Sequence, residues 1–144
     1  MRELSADVIT NTVERLCVES NYFLPGDVKK ALEDAALKEE SPVGRDTLLD
    51  ILKNAEIAER NQVPICQDTG LTVVFVELGQ DLRVVGGDFN EAINEGVRRG
   101  YKNGYLRKSV VDDPFLVRKN TGDNTPAIIH TTIVKGDKLK ITIA

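Results

Sequence analysis

The chain has 144 residues, 41% of them hydrophobic, which is the usual size of one globular domain with a buried core. Its 19 basic and 23 acidic residues leave a net charge of −4, so overall charge provides no attraction to nucleic acid or anionic lipid. No apolar run approaches the roughly 20 residues of a membrane span and the N-terminus lacks the apolar stretch of a secretory signal, so we expect a cytoplasmic protein without membrane or nucleic-acid partners.

The first predicted helix runs from about Ala6 to Glu19. Ile9, Val13 and Cys17 recur at helical spacing and share one apolar stripe, so Cys17 is expected to face the core. The second cysteine, Cys66, lies far along the chain, and a domain of this size in the cytosol has no need of a disulfide between the two. Each cysteine is therefore interpreted on its own.

Two further helices are expected before residue 63. A break at Phe23–Asp27 precedes a second apolar helical stripe, and the proline and aspartate in the break suit a helix start. The Ser41–Pro42 pair opens the next helix, which should end before Val63–Pro64 because proline disfavours helix in the residue before it. Residues 1–62 are thus predicted to form a helical layer.

Strands are predicted from residue 71 onward. Leu71–Leu78 is a nearly continuous run of β-favouring apolar residues, which indicates a strand covered on both faces. Leu82–Val85 is a second, short strand, and helical spacing returns over Phe89–Asn103. Asp88, with Glu91 three residues later, is an acidic variant of the capping box and marks the start of this helix.

The chain closes with two alternating segments. Ala127–Val134 and Lys138–Ala144 are predicted to pair as a β-hairpin across a short turn. Together the elements predict an α+β fold, with an N-terminal helical layer (residues 1–62) packed on a mixed or antiparallel sheet (residues 63–144), in a single domain of residues 1–144. Because the last residues still alternate like a strand, we expect an N-terminal fragment of a longer protein.

A cysteine, an amide, a carboxylate and a hydroxyl occupy four consecutive positions, Cys66 to Thr69, between the third helix and the first long strand. Loops between rigid elements commonly carry reactive groups, which makes these residues candidates for catalysis or ligand binding. The same residues also suit a plain turn at Asp68–Gly70, with Cys66 filling a small apolar hole. Spacing alone favours the turn.

A second polar cluster, Asn120–Pro126, closes a long segment of little periodicity that begins after Gly104. Composition alone favours a surface turn, although loops of this length are commonly functional or mobile. Arg107, within the segment, could hold an anionic substrate because a guanidinium binds a carboxylate bidentately, whereas a solvated charge is the commoner fate of a loop arginine. His130, the only histidine, falls in a predicted strand and is expected to be structural; with two cysteines it does not suggest a four-ligand zinc site.

Several of these segments, in this order and spacing, resemble one enzyme family. The chain is similar over nearly its whole length to the N-terminal, or alpha-subunit, portion of class I fumarate hydratase. The match is more specific than the cysteine motif alone. The segments that carry the resemblance are Cys66–Gly70, Gly86–Asp88, Tyr105–Ser109, Asp113–Pro114 and Asn120–Ala127.

The resemblance implies a four-iron four-sulfur cluster that is held by three cysteines and keeps one iron open to substrate as a Lewis acid. Cys66 matches the first of these cysteines. Gln67 and Asp68 match residues that contact the substrate, and Arg107 matches an arginine that binds a substrate carboxylate. Asp68 is also a candidate for acid/base catalysis, since proton abstraction beside a carboxylate needs a base.

The implied reaction is the reversible hydration of fumarate to malate, a lyase step of the tricarboxylic acid cycle. The other cluster cysteines are expected beyond Ala144, in the remainder of the alpha subunit or in a beta subunit or C-terminal domain, and the complete enzyme is expected to be a homo-oligomer. The isolated chain is therefore predicted to be inactive. Two alternatives stay open: a tartrate dehydratase alpha-subunit fragment, and a non-catalytic assembly module that docks a partner through Asn120–Pro126 and the hairpin edge.

Overall fold

The computed structural model describes residues 1–66 and 70–144. The chain divides into two compact units, one of Met1–Val18 with Thr69–Ala144 and the other of Glu19–Asp68. Within the described ranges, no helix is both long enough and apolar enough to cross a lipid bilayer. The elements are, in chain order, β1 (Arg2–Ser5), α1 (Ala6–Tyr22), α2 (Gly26–Lys38), α3 (Pro42–Asn61), β2 (Val73–Gly79), β3 (Leu82–Val85), α4 (Phe89–Asn103), β4 (Ile128–Val134) and β5 (Leu139–Ile143).

The larger unit contains a mixed sheet in the order β4-β2-β5. The central strand β2 is parallel to β4 and antiparallel to β5, so the two closing strands run in opposite directions, as predicted. They do not pair with each other, however, because β2 lies between them and takes the ladder hydrogen bonds of both. The α+β class and the mixed sheet are confirmed, whereas direct hairpin pairing is corrected.

One face of β2 is open to solvent. Val74 and Val76 are buried, but Phe75 between them is 48% exposed and stacks on His130 of β4 with ring centroids 5.3 Å apart. The alternation is that of a strand covered on one face. The prediction of a strand covered on both faces was therefore wrong, and the apolar residue on the open face packs against its cross-strand neighbour instead.

A second, two-stranded sheet pairs β1 with β3 in parallel, with Arg2 opposite Leu82 and Ser5 opposite Val85. The predicted strand at Leu82–Val85 is confirmed. Its partner β1 has only four residues, two of them exposed, and these carry no local signal of a strand.

Helices α1 and α4 pack closely in the same unit. The Asp88 side chain caps α4 by accepting a hydrogen bond from the Glu91 amide at 2.9 Å, and the helix spans the predicted residues. A Cβ placed on Gly96 would lie 2.6 Å from the Thr10 carbonyl oxygen, so glycine is what lets the two backbones approach. The fully buried side chains at this contact include Ile9, Val13, Cys17, Ile93 and Val97.

The smaller unit contains α2 and α3. The Ser41 hydroxyl caps α3 by accepting from the Gly44 amide at 3.3 Å, with proline in the first turn, as the sequence predicts. Ala36 of α2 and Ala55 and Ala58 of α3 are buried, which indicates that small side chains form the centre of this unit.

Candidate functional site

The C-terminal end of α3 fixes the chain just before Cys66. Gln62 adopts a left-handed conformation (φ 53°), the Val63 amide donates to the Ala58 carbonyl at 3.1 Å, and the Gln62 amide donates to the Glu59 carbonyl at 3.4 Å. These bonds form a Schellman motif, which ends the helix and turns the chain sharply away from it.

Two further hydrogen bonds hold the backbone at Cys66 itself. The Ile65 amide donates to the Asn21 carbonyl at 2.8 Å, and the Cys66 amide donates to Asn54 Oδ1 at 3.0 Å. The Cys66 residue is exposed and its sulfur is a free thiol. The sequence left open whether Cys66 fills an apolar hole, and its exposure excludes that possibility.

Cys17 has the opposite surroundings. It lies on α1, is 1% exposed, and faces the core as the helical stripe predicts. Burial, with a smaller contribution from Glu14, raises the pKa of its thiol to about 12. A thiol that stays protonated and sealed is unsuited to ligating iron, because the thiolate is the ligand.

Three other residues were predicted to contact the substrate, namely Gln67, Asp68 and Arg107. Gln67 and Asp68 lie outside the described residues. Arg107 belongs to the larger unit and Cys66 to the smaller one, so each is described within its own unit.

Arg107 follows the end of α4. Gly104 caps the helix, Tyr105 takes a left-handed conformation (φ 53°), and the Leu106 amide donates to the Tyr101 carbonyl at 3.1 Å. Leu106 is buried and Arg107 is exposed. Leu106 therefore anchors the segment to the core, while the neighbouring Arg107 lies at the surface.

Asn124 is the residue that sequence reasoning missed. It is fully buried, with a left-handed backbone (φ 63°), and its Oδ1 accepts from the amides of Ser109 at 2.7 Å and Val110 at 3.0 Å. Its Nδ2 donates to the Gly70 carbonyl at 3.2 Å. The interpretation of this stretch as a surface turn is wrong for Asn124. Its neighbours are turn formers, and no local sequence signal distinguishes a buried asparagine from an exposed one among them.

A small buried polar cluster surrounds Asn124. The Thr72 hydroxyl donates to the Tyr101 phenolic oxygen at 3.0 Å, and both residues are buried. Burial raises the pKa of Tyr101, opposed in part by its hydrogen bonds with Thr72 and Asn124. The cluster thus ties α4 to the residues that precede β2, with most of its buried polar atoms paired.

Asp123, the residue before Asn124, also connects this loop to α4. It accepts from Arg98 Nε at 2.9 Å and from the Thr125 amide at 3.0 Å and hydroxyl at 2.7 Å. Burial opposes ionisation, but the hydrogen bonds from Thr125 and Arg98 prevail and lower the pKa of Asp123 to about 2. Arg98 also pairs with Glu95 on its own helix. The loop that carries Asn124 is therefore held at two adjacent positions.

The described residues contain no ready-made group of metal ligands. In the ranges 1–66 and 70–144, no three His, Cys, Asp or Glu side chains come together as they would around a metal ion. What the two units offer is one exposed thiol on a backbone fixed by hydrogen bonds, and one exposed guanidinium group beside a buried anchor. Each suits a role in a site that further groups complete.

Comparison with known proteins gives consistent matches. The family model described as fumarate hydratase (Fumerase) matches residues 10–144. The "Putative L(+)-tartrate dehydratase subunit alpha" of Methanocaldococcus jannaschii is 38% identical over 130 residues, covering 83% of this chain and 43% of the relative. The anaerobic class I fumarate hydratase of Escherichia coli strain K12 is 38% identical over 93 residues, 64% of this chain and 17% of the relative. Fumarate hydratase 2 of Leishmania major is 34% identical over 139 residues, 93% of this chain and 24% of the relative. The chain spans less than half the length of each relative.

Proposed function

Because the chain belongs to the fumarate hydratase family, as the match over residues 10–144 shows, we propose that it carries part of the active site of a hydro-lyase. The proposed reaction is the reversible addition of water to fumarate to give malate, with an iron-sulfur cluster as cofactor. The observation that carries the proposal is the state of Cys66, an exposed thiol on a backbone fixed by the end of α3 and by Asn54.

Cys66 is the residue that would hold the cluster. Cys66 is an exposed residue and hydrogen bonds hold its backbone, so binding would cost little ordering of the chain. It supplies one of the three thiolates that the family uses, and Cys17 is sealed in the core, so the remaining thiolates must come from other polypeptide segments. When bound, an iron-sulfur cluster with an open iron supplies Lewis-acid chemistry toward a carboxylate or hydroxyl oxygen.

The other proposed roles belong to residues that meet the substrate. Arg107 binds a carboxylate of the dianion, for which an exposed guanidinium group is well suited. Gln67 contacts the substrate, and Asp68 takes part in proton transfer at the carbon next to a carboxylate. These assignments rest on the family pattern at these positions, and for Arg107 also on its exposure beside the buried Leu106.

Substitution of Cys66 by serine in the complete enzyme tests the proposal. We expect the variant to lose the visible absorption of the cluster and its hydratase activity, because a serine hydroxyl is a poor ligand for iron in place of a thiolate. Cys17→Ala is the matched control, since that thiol is buried and should be dispensable for the cluster. A Cys66→Ser enzyme that keeps both absorption and activity would remove the basis for the assignment.

A second candidate is dehydration of tartrate. Among the relatives named above, the Methanocaldococcus jannaschii protein, whose name refers to tartrate, is the one of which this chain covers the largest share, 43%. Fumarate, malate and tartrate are all four-carbon dianions, so Arg107 could bind a carboxylate of any of them. Steady-state rates of the complete enzyme with malate and with tartrate distinguish the two, and the substrate with the higher kcat/KM identifies the activity.

A further inference from the structure

We infer that Asn124 is a positioning residue for substrate binding, because it holds the backbone that carries Arg107. This inference rests on the proposed function of Arg107 as the group that binds a substrate carboxylate. Asn124 itself is fully buried, so it acts through the chain that it holds.

The hydrogen bonds of Asn124 lie close to Arg107 in the chain. Its Oδ1 accepts from the amides of Ser109 and Val110, two and three residues after Arg107, at 2.7 and 3.0 Å. Its Nδ2 donates to the Gly70 carbonyl at 3.2 Å. One side chain thus joins the Arg107 segment to the residue that precedes Leu71 and strand β2, within one compact unit.

The remaining contacts hold Arg107 from both sides. Leu106 is buried and its amide bonds back to α4, and the Lys108 carbonyl accepts from Asn120 Nδ2 at 3.0 Å. Arg107 is the exposed residue between these two held neighbours. A guanidinium group on a fixed backbone loses less freedom when it binds a carboxylate, which favours tight binding.

Asparagine is the residue type that this position requires. The backbone is left-handed (φ 63°), which asparagine, aspartate and glycine tolerate best. In this buried setting the side chain accepts two hydrogen bonds through Oδ1 and donates through Nδ2 to the Gly70 carbonyl. It also makes a hydrogen bond with Tyr101. An ionised aspartate can accept hydrogen bonds but not donate them, and a glycine has no side chain to do either. Comparing the two substitutions therefore separates the role of the acceptor Oδ1 from that of the donor Nδ2.

The experiment compares Asn124→Gly, Asn124→Asp and Thr72→Val with the wild type. In the chain, backbone amide exchange of Ser109 and Val110 is followed by NMR; in the complete enzyme, KM and kcat are measured with fumarate. For Asn124→Gly we expect faster exchange at both amides and a KM raised about tenfold with kcat within about threefold, as for loss of uniform substrate binding. Asn124→Asp keeps the acceptor oxygens for Ser109 and Val110 but loses the donor to the Gly70 carbonyl and buries a carboxylate. We therefore expect exchange at both amides that is slower than in Asn124→Gly.

Thr72→Val controls for general loss of stability. It removes a hydroxyl from the same buried cluster, where Thr72 bonds Tyr101, but leaves the contacts to Ser109 and Val110 in place. We expect lower stability with an unchanged KM. The inference is overturned if Asn124→Gly leaves the exchange of both amides unaltered, if it speeds exchange but leaves KM unaltered, or if Thr72→Val raises KM as much as Asn124→Gly does. A wild-type enzyme without hydratase activity would instead refute the proposed function, and unaltered amide exchange in Asn124→Gly would refute the positioning role whatever the activity.

Discussion

At the scale of single residues, burial separates groups that composition treats alike. Cys17 and Cys66 are both free thiols, yet one is sealed in the α1–α4 contact and the other is exposed. The helical stripe predicted the burial of Cys17, because a 3.6-residue period is a local property that sequence shows directly. The burial of Asn124 could not be predicted in this way, since it depends on contacts with Gly70 and Ser109, which lie 54 and 15 residues away.

Alkylation of the folded chain tests this contrast between the thiols. We expect iodoacetamide at mildly alkaline pH to modify Cys66 rapidly and to leave Cys17 unmodified, because Cys17 is buried and a pKa of about 12 keeps it protonated. Peptide mapping by mass spectrometry locates the label, and the same reaction in denaturant should label both cysteines. Rapid labelling of Cys17 in the folded chain would contradict the described core.

At the scale of elements, the sequence predicted best what depends on neighbours along the chain. The starts of α3 and α4 follow from the caps Ser41 and Asp88, whose side chains accept from amides three residues onward. Strand pairing was predicted less well. The prediction paired β4 with β5 because they are consecutive, whereas both pair with β2. The paired residues Val73 of β2 and Ile128 of β4 are 128 − 73 = 55 residues apart in the chain. Such pairing depends on tertiary packing, which local periodicity does not encode.

The close approach of α1 and α4 gives a prediction for Gly96. Alanine is the better helix former by about 1 kcal/mol, but its Cβ would lie 2.6 Å from both the Thr10 carbonyl oxygen and Val13 Cβ. The backbone oxygen cannot move without shifting α1, so overpacking should outweigh propensity. We expect Gly96→Ala to lower the free energy of unfolding by about 2 kcal/mol, measured by urea denaturation.

Gly26→Ala is the matched control for this substitution. It makes the same chemical change in the first turn of α2, where no atom lies within 4 Å of the added Cβ. Its stability should stay within about 0.5 kcal/mol of the wild type. Equal effects of the two substitutions would show that the α1–α4 contact is looser than described.

At the scale of the whole molecule, the two proposed site residues that the structure describes belong to different compact units. Cys66 belongs to the unit of α2 and α3, and Arg107 to the unit that contains the sheets. The chain covers less than half the length of each relative named above, with 43% of the Methanocaldococcus jannaschii relative covered. In the described ranges, β4 and β5 each pair on one side only, which is also compatible with the alternative of an assembly module. An inactive isolated chain is expected both for an enzyme fragment and for a non-catalytic assembly module, so activity of the isolated chain does not distinguish them. The property that distinguishes them is the capacity of the complete protein to hold a cluster.

The isolated chain is predicted to hold no stable cluster and to hydrate no fumarate. The proposed cluster would take three thiolates, and this chain has two cysteines, of which Cys17 is buried with a pKa of about 12. One exposed ligand, Cys66, cannot retain a four-iron cluster against competing thiols in solution. Anaerobic reconstitution with iron and sulfide, followed by desalting, visible absorption and a malate assay, measures both properties, and Cys66→Ser serves as the blank. A desalted wild-type chain with cluster absorption and hydratase activity would contradict this prediction, because Cys66 would then suffice with no thiolate from another segment.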